Sequence, residues 1–354
     1  MHTQFNDFLV SIDSKIREVV SFFNEVGFPI CLVVNKQKHL LGIITDGDLR
    51  RYISKNVDLE ASVETMMYKS PIVTKWQDIS SAQLVMKERM ITALPIINEK
   101  EEVVGLLFSD GKAYYDKTPL PFQVVINAGG KGTRLYPYTK VLPKPLIPVG
   151  DKTILEHIIT RFTHQGCSEF ISIVNHKRGI IKAYFQDLEV DYSLSFVDES
   201  TPLGTGGGLS LLKGFITQPF FFTNCDIIID ADYRAITQEH LNRKNSVTMV
   251  CAKKNVSIPY GVVNINEDNQ LTSFSEKPNF DFFTNTGFYV VSPEVLEIIP
   301  EGKNISFPEI MDLCKNEGMR VGVYSIIDKA WLDMGQIDEL DKMIEMLGST
   351  TLND

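Results

Sequence analysis

The chain has 354 residues, of which 44% are hydrophobic, and a formal net charge of −10 at pH 7. This length and this apolar content are sufficient for two domains with separate cores. The acidic balance argues against broad nucleic-acid or anionic-membrane binding, which normally uses a basic face. Any recognition of phosphate must therefore be local.

The five cysteines are scattered and form no C-x-x-C pair, so we expect neither a disulfide framework nor a zinc site. The histidines lack metal-ligand spacing, and no G-x-S-x-G nucleophile elbow occurs. The N-terminal segment lacks the charged-then-apolar pattern of a signal peptide, and no apolar run reaches the length of a membrane span. These features predict a soluble protein of the cytoplasm.

The first third of the chain contains an internal repeat, in which residues 30–48 realign with residues 93–111 at one constant offset. Each copy has a β-rich run and then a polar turn. A second apolar run follows that contains Gly42 or Gly105, and a helix-like segment lies upstream. We expect the two copies to pack as one unit.

The motif LLGIITDGDLRRYI in the first copy resembles a cystathionine β-synthase (CBS) domain, and the repeat is similar to the tandem pair that such domains form, over about residues 1–115. The resemblance implies that Thr45 and Asp48 hold the ribose and phosphate of an adenine nucleotide. Phe108 and Gly111 stand at the equivalent places of the second copy. At most one well-equipped nucleotide site is implied, and a packing or dimerisation module without a ligand stays open.

Residues 116–122 are predicted to form a linker, because prolines and mixed charges surround them. From residue 123 to residue 354, strand-like runs such as QVVINA, FISIVN and FFFTNCDIII alternate with helical patterns such as TILEHIITRFTHQG. We therefore predict an α/β fold with a Rossmann-like mixed, mostly parallel sheet, preceded by the α+β tandem module. Ligands in such sheets bind outside the carboxyl ends of the strands.

A glycine-rich run, Ala-Gly-Gly-Lys-Gly-Thr-Arg-Leu, begins at Ala128 directly after the first strand of this sheet. Glycines without Cβ atoms let backbone N–H groups approach an anion closely. Arg134, and Lys144 ten residues later, supply two fixed cations. The run fits neither the P-loop nor the dinucleotide-binding fingerprint. It predicts a site for a triphosphate.

In full, the segment INAGGKGTRLYPYTKVLPKPLIPVGDKTILEHII resembles the signature of the sugar-1-phosphate nucleotidylyltransferases. The resemblance implies that Arg134 and Lys144 are catalytic. It implies further that a second glycine-rich loop lies against the nucleotide base, and the nucleotide-binding residues of the two loops are then Ala128, Gly129, Gly130, Gly132, Thr133, Pro202, Gly204 and Thr205. Asn127 and Cys225 depart from the small residues that the family usually has at these places.

Two aspartates are implied by the same resemblance to bind Mg²⁺. Asp226 ends the hydrophobic run FFFTNCD, and Asp333 lies in Trp-Leu-Asp-Met-Gly. An isolated aspartate at a strand end is more often a turn former or helix cap. Magnesium nevertheless suits two carboxylates completed by phosphate and water. On the sugar-1-phosphate side, the resemblance implies Gly261, Glu276, Lys277 and Asn285.

The predicted reaction joins a nucleoside triphosphate to a hexosamine, hexose or heptose 1-phosphate, giving a nucleotide sugar for surface-glycan biosynthesis and releasing pyrophosphate. We favour GTP, because the appended repeat and the Leu-Gly-Thr-Gly-Gly loop are most similar to bacterial guanylyltransferases. Thymidylyl- and cytidylyltransferases share nearly every motif and stay alternatives. An adenine-nucleotide sensor with a degenerate transferase domain is a third interpretation, although the intact set of charged residues argues against it. We expect a homo-oligomer.

Overall fold

The computed structural model describes residues 5–55, 58–110, 112–116 and 119–334. Gly111, part of the predicted linker and the end of the predicted second domain lie outside the described residues. The predicted boundaries at residues 115 and 123 therefore stay predictions. No helix in the described ranges is long and apolar enough to cross a bilayer.

In the described ranges, the N-terminal module has three α-helices and seven strands. The helices are α1 (Ile16–Val26), α2 (Asp46–Ile53) and α3 (Ile79–Arg89). The strands are β1 (Leu9–Ser11), β2 (Ile30–Val34), β3 (Leu40–Thr45), β4 (Thr74–Lys75), β5 (Ala93–Ile97), β6 (Val103–Phe108) and β7 (Ala113–Tyr115). They form one sheet of order β1-β2-β3 and a second of order β4-β5-β6-β7.

The internal repeat is visible in the strand registers. Val33 pairs with Gly42 in the first copy, and Ile96 pairs with Gly105 in the second; a register shift follows each pair. Both glycines are needed, because an added Cβ would lie 2.7 Å from a backbone oxygen at Gly42 and 3.1 Å from one at Gly105. The copies meet at equivalent positions through a bridge between His39 and Glu102. The module therefore consists of two similar units that contact each other through equivalent residues.

The larger half is built on a seven-stranded sheet of order β12-β11-β8-β13-β18-β15-β19. These strands are β8 (Val124–Asn127), β11 (Glu169–Val174), β12 (Ser193–Asp198), β13 (Phe220–Asn224), β15 (Val247–Ser257), β18 (Asn279–Val291) and β19 (Val321–Ile327). The pairs β12–β11, β11–β8, β8–β13 and β15–β19 are parallel, and β18 runs antiparallel to both of its neighbours. The sheet is thus mixed and mostly parallel.

Six α-helices and six short strands complete this half as far as residue 334. The helices are α4 (Tyr138–Val141), α5 (Ile154–His164), α6 (Arg178–Gln186), α7 (Tyr233–Arg243), α8 (Glu294–Ile298) and α9 (Phe307–Asn316). The strands are β9 (Pro148–Val149), β10 (Lys152–Thr153), β14 (Ile227–Ile229), β16 (Val262–Ile265), β17 (Leu271–Ser275) and β20 (Trp331–Asp333).

Strands β8 and β13 in the middle of the sheet are buried on both faces, as their continuous apolar runs indicate. Val124 and Ile126 of β8 belong to one core cluster together with α5, whereas Val125 belongs to the other together with α9. Alternate residues of a strand point to opposite faces, so one short strand serves both cores. The loops that follow β8 and β13 are left at the rim of the sheet.

The predicted run FFFTNCDIII is not one strand. It is divided into β13 and β14, with Cys225 and Asp226 between them. The division occurs because β14 leaves the main sheet and pairs instead with β20. The break places the Asp226 carboxylate at the rim.

An arm projects from the sheet, formed by the ends of β15 and β18 and by the β16–β17 hairpin. Nearly every residue of the arm is exposed, including Val263, Ile265, Leu271 and Phe274 of the hairpin. Three of the predicted sugar-side residues lie on this arm.

Candidate active site

The glycine-rich loop after β8 is shaped by conformations that only glycine adopts easily. Gly132 has φ +63°, and an added Cβ would lie 2.9 Å from both Lys144 Cβ and Thr139 Cγ2. The Thr139 hydroxyl donates to the Gly132 carbonyl at 2.8 Å and fixes the turn. Gly130 has open space on its Cα, with no heavy atom within 4 Å of an added Cβ. The loop is therefore tight on one side and open on the other, as a cradle for an anion requires.

Lys144 and Asp226 form an ion pair at this rim. Lys144 begins a 3₁₀ turn between two prolines, and Asp226 lies in the turn between β13 and β14. The distance from Lys144 Nζ to Asp226 Oδ2 is 2.5 Å, and the side chains are 12% and 20% exposed. Arg134, in the 3₁₀ turn Thr133–Leu135, is exposed beside the same loop. The structure thus brings the predicted cation Lys144 to the predicted metal ligand Asp226.

Asp333 lies next to Asp226 although the two residues are far apart in sequence. Asp333 ends β20 and pairs with Ile227, the residue that follows Asp226. The Met334 N–H donates to the Asp226 carbonyl at 2.7 Å, which locks the two chain segments together. A half-buried carboxylate in this turn and another at the end of the neighbouring strand β20 fit a magnesium ion that takes its other ligands from phosphate and water. Residues 5–55, 58–110, 112–116 and 119–334 contain no group of three or more His, Cys, Asp or Glu suited to a metal.

Asn127 connects the glycine loop to the second glycine-rich loop. Its side-chain amide donates to the main-chain carbonyl of Thr205 at 3.3 Å. Its main-chain carbonyl accepts from the Cys225 N–H at 3.2 Å. Asn127 therefore holds two loops and the start of the metal turn, which explains a polar residue at this place. Burial raises the pKa of the Cys225 thiol to about 12, so this cysteine is protonated and is not a nucleophile.

The second loop is fixed against the N-terminus of α9. Gly204 has φ +81°, and an added Cβ would lie 2.7 Å from the Ile305 carbonyl oxygen. The Thr205 hydroxyl accepts from the Phe307 N–H at 3.1 Å, and Asn304 donates to the Pro202 carbonyl at 3.0 Å. A loop that is held at both ends can present its remaining backbone groups to a ligand.

Glu199 is a site residue that sequence analysis did not single out. It follows β12 directly and is 3% exposed. Its carboxylate lies between the two loops, because an added Cβ would come within 2.9 Å of Oε2 at Gly129 and 2.5 Å of Oε1 at Gly208. Within the described part of the chain, Glu199 Oε1 has no hydrogen-bond partner. Burial raises the pKa of Glu199, and a hydrogen bond from the Leu203 N–H opposes this only in part.

The only available sequence signal for Glu199 was its place between a predicted strand and a glycine-rich loop. An acidic residue there is usually a solvated turn former, so the pattern alone does not indicate burial. The structure instead shows a buried acceptor aimed between the glycine loops. Such groups are candidates for ligand recognition.

The predicted sugar-side residues are divided between the arm and the sheet. Gly261 lies beside Glu276, whose Oε2 would be 3.2 Å from an added Cβ, and Lys277 follows with φ +45°. Asn285 lies on β18, where its side chain exchanges hydrogen bonds with the Tyr289 hydroxyl and accepts from the Gly287 N–H at 2.9 Å. Gly287 in turn packs against Asn224, close to the metal turn. Asn285 therefore lies on the main sheet and holds the glycine that packs beside the metal turn, whereas Glu276 and Lys277 are presented by the arm.

Thr45 and Asp48 form a capping box at the start of α2. The Thr45 hydroxyl accepts from the Asp48 N–H, and Asp48 accepts from the Thr45 N–H at 2.9 Å. Burial would raise the pKa of Asp48, but hydrogen bonds from Thr45 and Arg51 outweigh it and hold this pKa below its ordinary value. Helix capping is thus one function of both residues, and their predicted nucleotide contacts stay a prediction.

Comparison with known proteins adds independent information. A family model described as nucleotidyl transferase matches residues 123–349, and a CBS domain model matches residues 5–55. The mannose-1-phosphate guanylyltransferase catalytic subunit beta of Drosophila pseudoobscura pseudoobscura is 33% identical over 223 residues, which cover 60% of this chain and 59% of that protein. This chain therefore spans about three fifths of that relative's length.

Two bacterial proteins are matched over nearly their whole length. The D-glycero-alpha-D-manno-heptose 1-phosphate guanylyltransferase of Campylobacter jejuni is 30% identical over 214 residues, covering 60% of this chain and 94% of that protein. The crystal structure of HddC from Yersinia pseudotuberculosis complexed with GMP-PN has a TM-score of 0.50 and 26% identity, covering 64% of this chain and 99% of that one.

Proposed function

We propose that this chain, which belongs to the nucleotidyl transferase family, joins GTP to a sugar 1-phosphate and releases pyrophosphate. The family and the mixed α/β fold predicted from the sequence are both confirmed. Relatives named as guanylyltransferases of mannose 1-phosphate and of a heptose 1-phosphate support the proposed activity. They leave open which sugar this chain uses.

One observation carries the proposal: Lys144, Asp226 and Asp333 converge at the rim, beside a glycine loop with an open face. A lysine and two carboxylates at the end of a central strand suit the meeting of two phosphorylated substrates. The carboxylates alone would repel those substrates, so a divalent cation and the lysine are both needed.

In the proposed reaction, a phosphate oxygen of the sugar 1-phosphate attacks the α-phosphorus of GTP. A new phosphorus–oxygen bond forms, the bond between the α-phosphorus and its bridging oxygen to the β-phosphate breaks, and pyrophosphate leaves with that electron pair. No general base is required, because a phosphate monoester already carries nearly two negative charges at neutral pH. The main obstacle is repulsion between anions.

Positive charge would remove this obstacle. We assign Lys144 and Arg134 to the phosphates of GTP, and Lys277 to the phosphate of the sugar. Asp226 and Asp333 would hold Mg²⁺, which when bound supplies further charge to the phosphates. The backbone N–H groups of Gly129, Gly130 and Gly132, with Ala128 and Thr133 beside them, would cradle the triphosphate. Fixed charges of this kind stabilise a transition state without reorganising.

Glu199 supports guanine as the base. A carboxylate is an acceptor, and guanine presents two adjacent donors, N1–H and the N2 amino group, on its Watson–Crick edge. Uracil and thymine present one N–H between two carbonyls, which makes a poorer match for a carboxylate. In the described part of the chain, Glu199 Oε1 is a buried acceptor without a partner. Such an atom costs free energy until a ligand donates to it. Pro202, Gly204 and Thr205 would hold the base from the other side.

The remaining assignments concern the sugar, the N-terminal module and the state of the protein in the cell. Gly261, Glu276 and Asn285 would bind the sugar through backbone, carboxylate and amide groups. Thr45 and Asp48 would contact an adenine nucleotide. We also propose a homo-oligomer and a cytoplasmic location. Five free, buried cysteines are compatible with a reducing compartment.

The test is a substrate matrix. The full-length protein is incubated with Mg²⁺, each of GTP, TTP, UTP, CTP and ATP, and hexose, hexosamine and heptose 1-phosphates. Pyrophosphate release and the mass of the nucleotide sugar are measured. A GDP-sugar from one pairing supports the proposal and names the sugar, whereas a UDP-, dTDP- or CDP-sugar would overturn the choice of GTP. Nucleotide binding to the N-terminal module without product from any pairing would favour a sensor.

A further inference from the structure

The second repeat of the N-terminal module packs against the half that carries the site through a stack of aromatic rings. Trp76 stacks on Tyr115 with ring centroids 5.3 Å apart, and Tyr115 stacks on His164 with centroids 4.1 Å apart. Trp76 and Tyr115 are buried residues of the module, whereas His164 ends α5 in the other half. The two halves are therefore joined by a packed contact as well as by the chain that connects them.

Asp78 forms an ion pair across the same contact. It occupies the N-cap position of α3, where an aspartate ordinarily accepts from the first turn of its own helix. Its side chain makes no cap hydrogen bond and pairs instead with Lys329 of the other half. The equivalent N-cap of α1 in the first repeat is Lys15, which pairs with Glu60 inside the module at 2.7 Å. The contact with Lys329 is thus particular to the second repeat.

Lys329 lies in the 3₁₀ turn Asp328–Ala330, which leads directly into β20, the strand that ends at Asp333. The strand is only three residues long, roughly 10 Å. Its first end is joined to the end of β14 by a hydrogen bond of 2.8 Å from the Asp230 N–H to the Ala330 carbonyl. Its other end carries Asp333 beside Asp226. Because the strand pair is so short, a displacement of β20 at Trp331 would also displace the Asp333 carboxylate at its other end.

A buried ion pair fixes the same end of the strand pair to α5. Arg161 Nε lies 3.2 Å from Asp230 Oδ1, and the two side chains are 16% and 1% exposed. Arg161 is one turn before His164 on α5, so the aromatic stack and this ion pair act on one rigid helix. The module therefore contacts the two elements that hold β14 and β20 in place, namely α5 and the turn that contains Lys329.

We propose that Asp78 and Lys329 are positioning residues, through which the second repeat of the N-terminal module sets the place of Asp333 and with it the affinity of the carboxylate pair for a divalent cation. This inference rests on the proposed function of Asp226 and Asp333. Neither Asp78 nor Lys329 contacts the substrates in this scheme. They act through β20.

The test measures divalent-cation affinity in full-length variants. The variants are Lys329→Met, Lys329→Arg, Asp78→Asn and the charge exchange Asp78→Lys with Lys329→Asp. Lys69→Met is the matched control, because Lys69 is 60% exposed and pairs with Glu64 inside the module, while Lys329 is 63% exposed. Mn²⁺ binding is followed by electron paramagnetic resonance, and pyrophosphate release is followed as a function of Mg²⁺ concentration.

We expect Lys329→Met and Asp78→Asn to weaken Mn²⁺ binding and to raise the Mg²⁺ concentration for half-maximal rate by about twofold to fivefold, the range of one exposed ion pair. Lys329→Arg and the charge exchange should restore both values, and Lys69→Met should leave them unchanged. The rate at saturating Mg²⁺ should change little. A purely structural contact would lower the unfolding midpoint without changing cation affinity, and that result would overturn the inference.

The two proposals fail in different ways. A wild-type protein that makes no product from any substrate pair overturns the proposed activity, whereas the Mn²⁺ measurement still tests the contact. An active wild-type protein whose Lys329→Met variant binds Mn²⁺ normally overturns the contact alone.

Discussion

Lys144 Nζ lies 2.5 Å from Asp226 Oδ2, just beyond the end of β13. Each group neutralises the other at a half-buried place where a lone charge would be unfavourable. In the proposed reaction both groups exchange partners, because Asp226 would bind a divalent cation and Lys144 would bind a phosphate of GTP. The ion pair thus allows both side chains to stay ionised at the rim before the substrates arrive.

Asp226→Asn should reduce turnover at least about 100-fold, because the amide keeps the shape but loses the charge that a divalent cation needs. Turnover is measured at saturating GTP and sugar phosphate. Asp312→Asn is the control, since Asp312 is an exposed aspartate of the same half that pairs with Lys315. Near-normal turnover of Asp226→Asn, with the fold intact by circular dichroism, would contradict the assignment.

Glu199→Gln should lower kcat/KM for GTP by about 10- to 100-fold and should lower it much less for UTP or TTP, because only guanine uses a carboxylate acceptor fully. The exposed Glu189 provides the matched control Glu189→Gln. Equal losses for all bases would contradict base recognition by Glu199.

The pH dependence gives a separate test of Glu199. Burial raises its pKa, so its proton is gained at a higher pH than for an ordinary glutamate. The protonated acid has lost acceptor capacity, and kcat/KM for GTP should therefore fall as the pH drops through this raised pKa. The phosphate substrate titrates equally in both proteins. The difference between the wild-type and Glu199→Gln profiles isolates Glu199, and identical profiles would contradict the prediction.

Gly132→Ala should lower activity at least about tenfold, because the new methyl group would enter the 2.9 Å space beside Lys144 and Thr139 at a positive φ. Gly214→Ala separates the two causes, since Gly214 has φ +74° but open space around it. Gly214→Ala should lose some stability and keep its activity. Similar activities of the two variants would show that the close packing at Gly132 is unimportant.

His240 should make the fold sensitive to acid. It is buried between the hydroxyls of Thr248 and Ser292, and burial lowers its pKa from 6.5 to about 4. Between these two values the unfolded chain binds a proton that the folded chain does not, so the free energy of unfolding falls as the pH is lowered from about 6.5 toward 4. Urea unfolding at pH 7 and pH 5 should show a smaller pH effect in His240→Asn than in the wild type. An equal pH effect in both would contradict this.

The fold class and the repeat could be predicted from the sequence, which also pointed to most of the charged residues at the rim of the sheet. These features are local, because strand runs, glycine spacing and the order of Arg134, Lys144 and Asp226 can be read along the chain. The resemblance to a family added the catalytic roles of Arg134 and Lys144, the metal roles of Asp226 and Asp333, and the residues of the arm. These roles stay predictions.

Which distant residues meet depends on how the segments of the chain pack together. The register between β14 and β20 brings Asp333 to Asp226, and the burial of Glu199 depends on the loops that follow β8 and β12. Asp78 has the sequence position of a helix cap but pairs with Lys329 in the other half. Local propensity reports the conformation of a segment, whereas partners and burial are set by packing between segments, and that packing is not written in any single stretch of residues.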